Sequence, residues 1–94
     1  MQNAILEILE KIPKGMAFDS HYIINQLINF YSDKYLNFAS RWAESNEKTL
    51  SVHVQIGKAI ASFEPDTISR LDYMSWSENS HGNSSECTAW VKLL

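Results

Sequence analysis

This sequence has little that could staple or anchor it. One cysteine, Cys87, rules out an internal disulfide, which fits a reducing compartment. Glycine occurs only as the scattered Gly15, Gly57 and Gly82, so there is no glycine-rich phosphate loop. No apolar run approaches the roughly 18–20 residues of a membrane span. The opening MQNAILEILEKI lacks a basic region followed by a long apolar stretch, so it does not read as a secretory signal. No membrane partner is expected, and cytoplasm is the default location. Cations are also short: 8 Lys and Arg stand against 11 Asp and Glu, for a net charge of −3. That balance argues against strong non-specific attraction to nucleic acid, which rests on Lys and Arg. It leaves room for a small basic patch on an acidic remainder.

What is present suits one compact unit. Ninety-four residues, 45% of them apolar, make a single domain spanning residues 1–94. In residues 3–12, Ile5, Ile8, Leu9 and Ile12 form an apolar helical stripe, with Asn3 as the cap. Pro13-Lys14-Gly15 is a turn, and Met16-Ala17-Phe18 is a short extended piece. Asp19-Ser20 caps a second helix over residues 20–31, whose wide apolar face (Ile23, Ile24, Leu27, Ile28, Tyr31) marks it as central. Ser32-Asp33 caps a third helix over residues 34–44, with Tyr35, Phe38, Ala39 and Trp42 on its stripe. Residues 44–48 are polar and read as a connection, after which Asn46 or Thr49 caps the next helix.

That helix, Thr49–Phe63, organises the chain. Val52, Ile56, Ala59, Ile60 and Phe63 recur at the spacing of a buried stripe. Ser51, Gln55, Lys58 and Ser62 recur at the same spacing on another face. Short neutral hydrogen-bonding side chains with one cation are what a helix needs to read base edges in a major groove. An ordinary solvated face looks similar. Gly57 inside the helix costs about 1 kcal/mol relative to alanine, and close helix packing is its simplest explanation.

Beyond Glu64-Pro65-Asp66 the pattern changes. Residues 67–77 and 86–93 read as strands joined by the turn-rich segment 78–85, which makes a β-hairpin over 67–93 behind a helical part over 1–63. A turn centred on Asn83 sets Trp76 opposite Trp90. Cys87 alternates with Ala89 and Val91, which reads as a core thiol.

Catalytic and metal signatures are weak. His21, His53, His81 and Cys87 are the candidate soft ligands, and none forms a pair at zinc spacing. Asp19-Ser20-His21 carries the letters of a catalytic triad, but adjacent residues cannot adopt its geometry. No catalytic residue, metal or cofactor is expected. An enzyme would need a cleft gathering His53, His81 and Cys87, and nothing in the sequence gives a positive reason to expect one.

Three or four helices followed by a C-terminal β-hairpin, with a short extended piece before the second helix, resembles the winged helix-turn-helix family, an α+β fold. The resemblance is one of architecture and covers nearly the whole chain. It implies that Thr49–Phe63 is the recognition helix, with Asn79–Ser85 as the wing tip. By position it implies that Ser51, Gln55, Lys58 and Ser62 face bases or phosphates, with Arg41, Lys48 and Thr49 nearby and with His81 and Asn83 reaching from the wing. Double-stranded DNA, bound specifically and as a homodimer, is the first partner the resemblance implies. The wing, however, carries no cation and is flanked by Glu78 and Glu86. That departure favours the alternative, a protein-binding adaptor or small inhibitor on the same fold.

Overall fold

The computed structural model describes the backbone of residues 1–42 and 48–94, and the side chains of residues 1–41 and 52–94. Residues 44–47 of the expected connection and a cap at Asn46 therefore lie outside the described residues, as do the side chains of Trp42 and Thr49; Lys48 is already helical, so Thr49 stands inside the helix that it was expected to cap. In chain order the elements are α1 (Gln2–Glu10), β1 (Ala17–Asp19), α2 (Ser20–Phe30), α3 (Ser32–Ala39), a 3₁₀ turn (Ser40–Trp42), α4 (Lys48–Ala61), β2 (Ile68–Glu78) and β3 (Ser84–Lys92). The architecture is α+β. The helices pack on a three-stranded antiparallel sheet of order β1-β3-β2, whose last two strands form the C-terminal hairpin. Among the described residues no helix is long and apolar enough to cross a membrane.

The core follows the helical stripes. Ile5, Ile8 and Leu9 of α1, Ile23, Ile24 and Leu27 of α2, and Val52, Ile56 and Ile60 of α4 are all buried in one cluster with Ile68 and Trp90. The third helix is shorter than the residue pattern suggests. It tightens to a 3₁₀ turn after Ala39, and it buries no residue fully. Tyr35, Phe38 and Ala39 pack only against the margin of the core.

Two further expected caps are absent. Met1 precedes α1, so Asn3 lies inside the helix, and neither Ser32 nor Asp33 caps α3. The Asp19 cap is present: its Oδ1 accepts the Tyr22 amide at 2.9 Å.

The far end of α1 is closed by a side chain from the other end of the chain. Lys92 is 5% exposed. Its Nζ donates to the carbonyls of Leu9 (2.6 Å) and Ile12 (3.0 Å). A cation at the C-terminal end of a helix meets both the orphan carbonyls and the negative pole of the dipole. Lys92 also binds through its backbone, donating to Met16 O and accepting from Gly15 N, which fastens the 13–16 turn to β3. Gly15 has φ +85°, a conformation that favours glycine.

The hairpin differs from the expected register. Asn79 organises its loop: Oδ1 accepts the amides of His81 and Asn83, and the Asn79 amide donates to Asn83 O. The strands therefore close at Glu78 opposite Ser84. Between Arg70 and Met74 the register shifts, so that Leu71, Asp72 and Tyr73 stand against Ala89 alone. Trp76 consequently faces Glu86, and Trp90 faces Arg70 on one side and Phe18 on the other. The expected Trp76–Trp90 pair does not form. Trp90 is 1% exposed, whereas Trp76 is 69% exposed.

Trp90 stacks on Phe18 and donates its indole N–H to Glu64, whose carboxylate also accepts from Arg70 at 3.1 Å. Trp90 and Lys92 thus lie on the β3 face that meets the helical core. Cys87 and Ala89 alternate with them and are buried outside that core cluster, Cys87 against the start of α2.

Candidate functional site

The short β1 pairs only with residues 89–91 of β3. Beyond that contact, the start of α2, the side of α4 and the hairpin enclose a cleft of about 580 Å³. Ser20, His21 and Ile24 come from α2, and His53, Val54 and Gly57 from α4. The hairpin contributes Met74, Asn79, Ser80, His81, Ser85, Glu86, Cys87 and Thr88. All three histidines of the chain and its one cysteine meet here.

Gly57 is part of this wall and not of a helix–helix contact. A Cβ built on it would find nothing within 4 Å. Close packing therefore does not explain the glycine; the helix is simply bare where it borders the cleft.

The polar groups form a directed network. Asp19 accepts from Ser75 Oγ at 2.6 Å, from the Tyr22 amide and from Ser77. Burial raises the Asp19 pKa, but these hydrogen bonds, with His21 alongside, outweigh it and hold the carboxyl below the usual carboxylate range. Ser77 Oγ shares a 2.8 Å hydrogen bond with His21 Nδ1. The Ser85 hydroxyl stands 3.4 Å from His21 Nε2. His53 Nε2 shares a 3.0 Å hydrogen bond with the Tyr35 hydroxyl. Burial, then the neighbouring His81 and His21, lower the His53 pKa from its ordinary value. Burial pushes the Tyr35 phenol up.

The cleft thus gathers His53, His81 and Cys87, the set an enzyme would require. The Cys87 thiol lies 3.9 Å from Ser77 Oγ. Among the described residues no hydrogen bond joins it to a histidine. Nor are three His, Cys, Asp or Glu side chains placed to hold a metal ion among the described residues. Both nitrogens of His21 and one of His53 are already engaged.

Of the residues singled out for binding whose side chains are described, His81 alone lines this cleft. His81 and Asn83 are exposed in the hairpin loop, and His81 reaches the cleft wall. Lys58 is exposed one helical turn beyond Val54, on the rim. Gln55 is half-buried. By helical periodicity Gln55 and Ser62 lie across α4 from His53 and Gly57. Ser62 Oγ donates to Ala59 O and reaches Gln2 Oε1 at 3.2 Å, so it is drawn toward α1. Arg41 is exposed, with its guanidinium 5.8 Å from the Phe38 ring centre. Lys48, Thr49 and Ser51 belong to the first turn of α4, and their side chains lie outside the described residues.

Sequence reading named His21, His53 and Cys87 as isolated candidates and missed their convergence. Each sits where the chain alone is uninformative: just after a cap, on the flank of an apolar stripe, and within a strand. Comparison of the chain with protein-family models, curated proteins and solved structures finds no match, so the fold and the cleft are the ground on which its function is read.

Proposed function

We propose that this chain is a non-catalytic macromolecule-binding domain on the winged helix-turn-helix plan, acting in the cytoplasm, with double-stranded DNA as its partner. The observation that carries the reading is the pairing of α4 with the hairpin. A 14-residue helix, about 21 Å long at 1.5 Å per residue, stands beside a polar loop that projects at the end of a sheet ordered β1-β3-β2. A major groove about 12 Å wide accepts such a helix while the loop lies along the backbone.

In this reading Gln55 reads a base edge. Lys58, Arg41 and Lys48 meet phosphates, Thr49, Ser51 and Ser62 supply hydroxyls, and His81 and Asn83 touch the backbone from the wing. A homodimer doubles the small contact that one domain provides.

Two of the cations are committed elsewhere: Lys92 lies inside the domain and Arg70 is paired with Glu64. With Arg41, Lys48 and Lys58 as the phosphate contacts, the slope of log affinity against log salt is about −2.7, or ~0.9 for each of three. The test is binding to pooled genomic fragments from the encoding organism across a salt series. Selective binding with that shallow slope is expected, weakened by Lys58→Ala and made less selective by Gln55→Ala. No binding at low salt, or unchanged affinity in both variants, refutes the reading.

One observation favours a protein partner on the same fold. Tyr73, Met74 and Trp76 are exposed on β2, which is an edge strand. Exposed aromatics and methionine are enriched at protein interfaces. If DNA binding fails, loss of a co-purifying protein on Trp76→Ala is the outcome this second reading requires.

A further inference from the structure

The cleft holds three imidazoles whose positions in the chain are far apart, brought together by three separate elements. Burial and the neighbouring imidazoles both oppose charging His53. An anion among the rings relieves the repulsion and stabilises the protonated form. The remaining wall is of two kinds. Ser80, Ser85 and Thr88 bring hydroxyls, while Ile24, Val54 and Met74 are apolar. A volume of about 580 Å³ falls within the ~300–1,000 Å³ usual for small organic ligands.

Other titratable groups face the cluster from each neighbouring element. Tyr35 on α3 bonds His53, and Asp19 at the end of β1 reaches His21 through Ser77. Cys87 and Glu86 come from β3. Glu86 is the one carboxylate in the lining and opposes an anion there.

We propose that this cleft binds a small organic anion, a carboxylate or phosphate group on an apolar body, with His21, His53 and His81 around the charge and Ile24, Val54 and Met74 against the body. The proposal does not rest on the nucleic-acid reading. Its logic is proton-linked at His53: a bound anion favours the charged imidazole that burial and the neighbouring rings oppose, so affinity rises as pH falls.

The test is titration of the full chain with benzoate, phenyl phosphate and benzyl alcohol, following the imidazole carbon-bound protons by NMR. At least one of the two anions is expected to shift all three histidines together, and the tighter one identifies the charged group. Between pH 6.5 and 7.5 its affinity falls, by at most about tenfold for the single proton taken up at His53. His81→Asn, a change at an exposed loop position, weakens binding. Glu86→Gln tightens it, a gain that misfolding cannot imitate. If benzyl alcohol binds as well as the anions, if neither anion shifts the histidines, or if Glu86→Gln leaves affinity unchanged, the proposal is overturned.

Discussion

Replacing Lys92 by methionine isolates the work of its ammonium group. Methionine keeps most of the buried stem, so the packing change is small. What disappears is the pair of bonds to the Leu9 and Ile12 carbonyls, at 2.6 and 3.0 Å. Leu9 O still accepts the Ile12 amide, so the Ile12 carbonyl bears the larger loss. Bonds to a charged group contribute about 1.5–3 kcal/mol each, and the ammonium's own desolvation offsets part of their sum. A net loss of about 2–3 kcal/mol is expected. Against a typical stability of about 5–15 kcal/mol, that is a large fraction. It lowers Tm by roughly 10–20 °C in a chain of this size. Urea unfolding of Lys92→Met beside the surface control Lys58→Met measures it. The loss should persist at high salt, because a buried contact is poorly screened. A change below about 0.5 kcal/mol, or a gain, would mean that desolvation cancels the cap and that the bonds do not hold α1 in place.

Three further outcomes follow from the same geometry. His53 has a folded-state pKa below its unfolded value, so the unfolded chain binds more protons as pH drops below about 6.5. Stability is full above that pH and falls as pH drops toward the folded pKa, and His53→Gln flattens the denaturant midpoint over pH 7.5 to 5. Gly57→Ala meets no neighbour and gains roughly 0.5–1 kcal/mol of helix propensity. Gly82→Ala, at φ +80°, loses about 1–2 kcal/mol, and a calorimeter separates the two by sign. Trp90→Ala costs about 3–5 kcal/mol, whereas Trp76→Ala changes stability by less than about 0.5 kcal/mol. Equal effects of the two tryptophan changes on thermal unfolding would contradict the assigned register.

The helices were legible because burial imposes its period on the residues. Ile5, Ile8 and Leu9, or Val52, Ile56 and Ile60, announce their faces without knowledge of what covers them. The hairpin was legible as a pair of strands but not in register. Register depends on where the Asn79 loop closes and on three residues standing against Ala89, and neither leaves a periodic mark. That is why Trp76 and Trp90, alike in the sequence, end at opposite extremes of exposure. A similar limit hid the Lys92 cap, since a lysine in an alternating strand reads as a solvent-facing residue. The cleft was the least legible feature. Asp19 could be read as a cap, but its bonds to Ser75 and Ser77 span more than fifty residues, as does the His21–Ser77 contact. Such meetings are decided by topology.

The Lys92 contacts also bear on how the domain forms. They join residues 80 and 83 positions apart, among the longest separations a chain of this length allows. A protein grows from its N-terminus, so α1 emerges early yet waits for β3 before its last carbonyls find their cation. The Gly15 amide waits for the same residue. Contacts this non-local close late and slow the search for the native state. Early and late segments are thereby bound into one cooperative event, and a nascent chain that stops before residue 92 carries an α1 with no closing partner.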